Sequence, residues 1–171
     1  MFDKRAIDLI KQQILKEVYS SYLYVELANY FKDKGLDGFY NWYDIQAKEE
    51  LDHAKLFIKY LKKIGVNLEY DIPEIDKPSV LIINDLDALI KGLEHEQYVT
   101  SLIKAIYNAA YNADDKVTMN LLKWFLDEQE EEEKNATELI EKYKSCIDSR
   151  DLAKLNEELG EREYKAPSLV I

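Results

Sequence analysis

The sequence predicts an all-α protein: a four-helix bundle with one long crossover between helices 2 and 3, and a short fifth helix near the C-terminal end. Three observations carry this. Four long segments repeat apolar residues at alternating spacings of three and four. Short Gly- or Asn/Asp-containing turns join the segments in two pairs. Between the pairs lies a stretch from Val66 to Ile83 that Pro73 and Pro78 keep from being helical.

The first helix carries Ile7, Ile10, Ile14, Glu17, Ser21, Tyr24, Ala28 and Phe31 on one stripe. After Gly35 and Gly38 a second stripe runs Phe39, Tyr43, Gln46, Glu50, His53, Phe57, Tyr60, Ile64, and Gly65 supplies its stop. The crossover reads as an extended, partly buried connector in which short strands are conceivable. Its roughly 18 residues reach about 60 Å, more than the ~42 Å of a 28-residue helix, so it is long enough to run the length of the bundle. Asn84 or Asp85 caps the third helix, with stripe Leu86, Leu89, Leu93, Glu96, Thr100, Ile103, Tyr107, Ala110. The turn Asn112-Ala113-Asp114-Asp115 leads to the fourth, with Leu122, Phe125, Gln129, Glu132, Ala136, Leu139 and Tyr143. Leu152, Leu155 and Leu159 give the fifth helix its apolar edge. The division expected is one domain over 1–171, with the bundle about 4–146, the fifth helix about 149–160 and an irregular tail 161–171.

Composition narrows the function. Thirty-four acidic residues against 23 basic ones give a formal charge of -11, which repels phosphate backbones, so nucleic acid is a poor partner and cations a good one. No apolar run is long enough to span a bilayer, and the Met1-Phe2-Asp3-Lys4-Arg5 start lacks the apolar core of a secretory signal. A cytoplasmic location without membrane contact is the expectation. One cysteine, Cys146, supplies neither a disulfide nor a thiolate cluster. Any metal is therefore held by oxygen and imidazole.

Each of the four stripes has polar residues near its middle: Glu17; Glu50 with His53; Glu96; Gln129 with Glu132. On the inner face of a bundle they converge. Four ionised carboxylates in one buried layer face desolvation and mutual repulsion, which two divalent cations would balance. Glu50-x-x-His53 places a carboxylate and an imidazole one turn apart on one face. Alone that pattern reads as a solvated surface pair, but convergence with three other stripes favours ligation. Oxygen-rich ligation with one imidazole suits iron or manganese better than structural zinc. Di-iron carboxylate bundles carry two Glu-x-x-His motifs, whereas this chain has two histidines and Gly92 stands three residues before His95. The site is therefore asymmetric, with Gln129 where a second ligating carboxylate would stand and Glu132 where a second His would. A loosely held second metal favours a site that oxidises iron and passes it on.

The segments Glu17-Val-Tyr-Ser-Ser-Tyr-Leu-Tyr24, Glu49-Glu50-Leu-Asp-His53 and Trp124-Phe-Leu-Asp-Glu128-Gln129-Glu-Glu131-Glu132-Glu-Lys134 resemble the bacterial non-haem ferritins, part of the ferritin-like di-iron carboxylate family. The resemblance covers essentially the whole chain. It implies a ferroxidase centre in which Glu17, Glu50 and His53 hold a first iron, while Glu50 bridges to a second held chiefly by Glu96, with Gln129 and Glu132 nearby. It implies a third iron site on Glu49, Glu128, Glu131 and Glu132, and a tyrosine beside the centre at Tyr24. It further implies a hollow homo-24-mer shell that oxidises Fe(II) with dioxygen or peroxide and stores ferric oxyhydroxide mineral. The alternative within the wider superfamily is a di-iron peroxidase or oxidase without mineral storage.

Other readings weigh less. Bacterioferritin binds haem through a methionine on the second helix, which has none here, Met1 and Met119 being the only two; no haem is expected. A rubrerythrin-like chain adds a four-cysteine domain that one cysteine excludes. A helical interaction module leaves the coincident Glu and His placement unexplained. Glu94 competes with Glu96, but two residues rotate it roughly 200° around the helix. Glu130 and Glu133 read as a solvated face, and Glu49 by spacing alone lies off the core. On spacing alone Tyr24 is a packed aromatic. His95, about 100° from Glu96, is expected to be exposed or interfacial, and Cys146 to be an inert thiol.

Overall fold

The computed structural model describes residues 2–68 and 77–171. Its helices are α1 Lys4–Asp33, α2 Asp37–Lys63, α3 Asp85–Asn112, α4 Lys116–Lys144 and α5 Ser149–Gly160. Four begin on a side-chain cap that satisfies a free backbone N–H: Asp3 accepts from Ala6, Asn84 from Asp87, Asp115 from Thr118, and Asp148 from Arg150 and Asp151. Asn84, rather than Asp85, caps α3. The α1–α2 turn rests on Gly35 at φ 73°, and α2 is closed by Gly65 at φ 78°, conformations that a Cβ disfavours.

Helix α2 opens at Asp37, ahead of the Phe39 at which its apolar pattern begins, so Gly38 lies within the helix. The sequence reading placed that glycine in the turn. Its role is packing: a Cβ on Gly38 would stand 1.6 Å from the Asn156 carbonyl oxygen of α5, and Asn156 Oδ1 accepts from the Gly38 N–H at 2.8 Å.

Among the described residues there are no strands, and the parts of the crossover at 66–68 and 77–83 have no regular secondary structure. The middle of the crossover, with Pro73, lies outside the described residues, as does the question of its full path. No described helix is long and apolar enough to cross a membrane.

The helices pair as α1–α2 and α3–α4 hairpins, α1 also meets α3, and α5 docks chiefly on α2. The apolar core falls into two clusters. One holds Ile10, Phe57, Tyr60, Ile103, Leu122 and Phe125, with the Phe57 and Phe125 rings stacked at 4.1 Å. The other holds Leu27, Phe31, Phe39, Leu89, Leu139 and Leu159. Burying each large side chain contributes about 1.5–3 kcal/mol. Along every bundle helix the stretch between the two clusters is where the polar residues of the stripe lie. The fold thus surrounds a polar layer with apolar packing above and below.

Candidate metal centre

Glu17, Glu50, His53, Glu96 and Gln129 are each no more than 2% exposed, and Glu132 is 6% exposed. Helical periodicity brings them there: each sits one or two turns from fully buried apolar residues of its own stripe, and α1, α2, α3 and α4 each contribute. Glu94, the rival to Glu96, is exposed.

Glu17, Glu50 and His53 each present a ligand atom within 4.8 Å of the others. His53 Nδ1 lies 3.4 Å from Glu50 Oε2 and 3.9 Å from Glu17 Oε2. Two atoms each about 2.1 Å from one cation are at most ~4.2 Å apart, so both separations suit a shared ion. Gln13 Nε2 donates to Glu17 Oε1 at 2.8 Å, which orients the carboxylate. Its second oxygen, Oε2, is buried without a hydrogen-bond partner among the described residues. A buried acceptor of this kind is costly unless positive charge meets it, and the donor set of two carboxylates and an imidazole fits a divalent metal.

Glu96 is held on both oxygens. Tyr24 donates its hydroxyl to Oε1, and Gln129 Nε2 donates to Oε2 at 3.1 Å and to the Glu96 carbonyl at 3.2 Å. The Gln129 amide group thus serves Glu96 and Thr100. Gln46 Nε2 donates to Glu132 Oε2 at 2.8 Å. A void of about 10 Å³, no larger than a single water needs, is lined by Tyr24, Gln46, Gly92, Glu96, Glu132 and Leu139.

Burial, reinforced by Glu96 and Glu17, pushes the Glu50 carboxyl well above its ordinary range. Burial with Glu96 and Glu49 does the same at Glu132. Burial also raises Glu96, although the Tyr24 and Gln129 hydrogen bonds oppose it. Tyr24 is raised too, first by burial and then by Glu96 and Glu50, so it remains a neutral phenol and a donor. The layer therefore favours protons or cations over bare negative charge.

The remaining acids lie toward the outer side of α2 and α4. Glu49 and Glu128 are half-buried and Glu131 is exposed. Burial raises both Glu49 and Glu128. Glu49 already has a cationic partner, Arg162, at 3.0 Å. Glu130 is exposed as expected, whereas Glu133 accepts from Thr100 Oγ1 at 2.8 Å and is not simply solvated.

His95, expected to be exposed or interfacial, is half-buried. Its ring is enclosed by Tyr19, Tyr24 and Tyr98 at centroid separations of 6.2, 5.9 and 6.3 Å, and Nε2 is 2.6 Å from Ser20 Oγ. Three tyrosines partly cover a helix face that rotation alone assigns to the surface. Burial lowers its pKa to about 4. Cys146 is half-buried, and burial with Asp151 and Asp148 raises its thiol above the ordinary value.

Gln13, Gln46 and Arg162 were missed as functional residues. Gln13 and Gln46 carried a usable signal, being polar at helical spacing from Glu17 and Glu50. Arg162 carried none, because it reaches Glu49 across 113 positions of chain.

The comparisons agree with this geometry. The family model of the Ferritin-like domain matches residues 7–146. The bacterial non-heme ferritin of Campylobacter jejuni is 33% identical over 144 residues, 84% of this chain and 85% of that protein. That of Bacteroides fragilis is 32% identical over 165 residues, covering 95% and 100%. Among solved structures, the open pore ferritin of Archaeoglobus fulgidus superposes with TM-score 0.89 at 33% identity, covering 95% of this chain and 100% of that one. A humanized archaeal ferritin gives 0.91 at 34%, covering 96% and 99%. With its bundle and its sequence both matching, the chain belongs to the ferritin-like family.

Proposed function

We infer that the protein is an iron-storage ferroxidase: it binds Fe(II) as substrate, oxidises it with dioxygen or peroxide, and retains Fe(III) as a ferric oxyhydroxide mineral inside a homo-oligomeric shell of twenty-four chains. The observation that carries this reading is Glu17 Oε2, a buried carboxylate oxygen without a partner among the described residues, facing Glu50 and His53. The relatives named bacterial non-heme ferritin support the choice of iron. The single domain assigned to 1–171 extends the 7–146 family match through α5 and the tail.

Glu17, Glu50 and His53 hold the first ferrous ion. Glu50 faces a second, held by Glu96 with Glu132 and Gln129 beside it. As iron arrives, the raised carboxyls of Glu50, Glu96 and Glu132 give up their protons. Two Fe(II) supply the two electrons that reduce dioxygen to peroxide, and Tyr24 stays hydrogen-bonded to Glu96. Glu49, Glu128, Glu131 and Glu132 form the third iron position on the way out. No haem is assigned. Exposed Tyr22, Val25, Leu81 and Ile83 support burial against further copies of the chain.

Stopped-flow oxidation of Fe(II), followed by size-exclusion chromatography with iron and protein quantified across one peak, tests the reading. The expected result is rapid oxidation that Glu50→Ala and His53→Ala abolish, and iron far exceeding three per chain eluting with a large shell. Two or three irons on a small oligomer would indicate a di-iron oxidase without storage, and oxidation unchanged in both variants would overturn the site.

A further inference from the structure

Arg162 stands beyond α5 in a tail without regular secondary structure, yet that tail is tied to α2 and α4 along its length. Asn41 Nδ2 donates to the carbonyls of Leu159 and Arg162 at 3.1 and 3.0 Å. Tyr164 donates to Asp52, and Trp124 Nε1 donates to Ser168 Oγ at 3.0 Å. The Trp124 ring in turn packs edge-on against His53 at 5.9 Å. The tail is therefore a strap over the side of the bundle where Glu49 lies.

The Arg162 guanidinium of the strap lies among the acids there. Nη2 lies 2.6 Å from Gln46 Oε1 and 3.0 Å from Glu49 Oε2, Nη1 donates to the Trp42 carbonyl at 3.1 Å, and the group lies 4.2 Å from the Trp42 ring centroid. Arg162 and Glu49 are only 17% and 18% exposed, so water screens the pair weakly. Gln46 is oriented by it: with Oε1 accepting from Arg162, Nε2 is left to donate to Glu132 Oε2. One guanidinium thus pairs with one acid of the third iron position and orients another through a single amide.

We propose that Arg162 is an intrinsic cation at the third iron position, competing with metal for Glu49 and positioning Glu132 through Gln46, so that a third ion binds only by displacing the guanidinium. The proposal rests on the functional reading above. It makes the third position weak in the resting chain, so that an ion there is passed on, and it couples occupancy of that position to release of the strap. Arg162 acts here through Glu49 and Gln46 and is a positioning residue. A planar fork makes these contacts, and lysine offers only a point charge in its place.

The test uses the full-length, metal-free protein and zinc as a redox-inert probe, with bound ions per chain and affinities measured by equilibrium dialysis and calorimetry. Arg162→Gln is expected to tighten the weakest bound zinc by about tenfold or more while leaving the two tighter ions unchanged. Arg162→Lys is expected to show little of that gain, and Arg162→Gln with Glu49→Gln none of it. Equal affinity of the weakest zinc in wild type and Arg162→Gln would overturn the proposal, as would a gain that survives loss of Glu49. A second measurement needs no change at Arg162: in Trp124→Phe, only Trp42 reports, and its emission is expected to change with the third zinc equivalent and not before. Emission that follows the first two ions, or does not change at all, would also overturn it. Absence of two tight zinc ions in the wild type, or their persistence in Glu50→Ala, would defeat the functional reading itself, whereas two tight ions lost in Glu50→Ala with no Arg162 effect defeats this inference alone.

Discussion

Tyr24 of α1 donates its hydroxyl to Glu96 of α3, and with Gln129 on the other oxygen this leaves neither oxygen of that carboxylate free. Glu17, across the same layer, keeps Oε2 without a partner among the described residues. The two halves of the centre differ in this respect: one carboxylate is tied and one is open. An incoming cation meets Glu17 at no cost in hydrogen bonds, whereas it must compete with a phenol and an amide at Glu96. On the proposed two-ion reading, that difference orders the two positions by affinity.

Tyr24→Phe tests the tied half. Removing a hydrogen bond to a charged or partly charged acceptor costs about 1.5–3 kcal/mol, and in a buried layer that cost falls on Glu96. The expected outcome is slower oxidation of Fe(II), by about tenfold, with binding of the first ion at Glu17, Glu50 and His53 unchanged. Stopped-flow absorbance against calorimetric zinc binding separates the two effects. Equal oxidation rates in the variant and wild type would remove Tyr24 from the machinery.

The raised carboxyls set the pH dependence of the metal-free protein. Glu50, Glu96 and Glu132 have folded pKa values above their unfolded ones, burial being the first cause in each. Their contribution to stability is therefore complete below the unfolded glutamate value of about 4.3 and is lost as pH rises through the folded values. Glu50→Gln is expected to stabilise the metal-free protein at pH 7–8, with the difference from wild type fading toward pH 4. Divalent zinc at 100 times its dissociation constant adds about 2.7 kcal/mol to wild type at neutral pH, and far less to Glu50→Gln. Thermal unfolding across pH, with and without zinc, checks both signs; a Glu50→Gln protein less stable than wild type at pH 8 without metal would contradict the account.

What was legible in the sequence follows from what helical periodicity encodes. Burial of Glu17, Glu50, His53, Glu96, Gln129 and Glu132 was readable because each lies on a 3.6-residue repeat with large apolar neighbours, and the exposure of Glu94 followed from the same rotation. The places where reading stopped are those where another element covers a face. His95 is half-buried because tyrosines from α1 and α3 lie around it, and Arg162 meets Glu49 because α5 turns the tail back along α2. Rotation around one helix reports the direction of a side chain and not what a distant segment lays over it. Gly38 illustrates the same limit: glycine reads as a turn residue, and only α5 shows why it stands inside a helix.

His95 is expected to titrate in the opposite sense to the carboxylates. Burial holds its pKa at about 4, below the ordinary value, so the unfolded chain binds more protons between pH 6.5 and 4. The stability its neutral form contributes is fully present above the unfolded value of about 6.5 and is lost as pH falls through about 4. Histidine titration by NMR is expected to place one ring midpoint near 4, and that signal disappears in His95→Gln. A midpoint at 6 or above would show that the tyrosine cage opens in solution.

Gly38→Ala probes the junction on which the strap depends. The added Cβ would lie 1.6 Å from the Asn156 carbonyl oxygen and 2.6 Å from its carbon, so backbone, not a flexible side-chain end, must move. Alanine itself favours the helix over glycine by up to about 1 kcal/mol, and overpacking costs typically 1–3 kcal/mol; with two backbone atoms in the way the clash wins. The net expectation is a loss of about 1–2 kcal/mol, concentrated in α5. Hydrogen exchange is expected to rise at Leu155 and Leu159 while the α1–α4 core around Phe57 and Phe125 keeps its protection. Because α5 positions Arg162, the same variant is expected to weaken the Arg162–Glu49 pair without touching Glu17, Glu50 or His53. Unchanged protection in α5 would show that the helix shifts without cost, and uniform loss throughout the bundle would show that α5 and the core unfold as one unit.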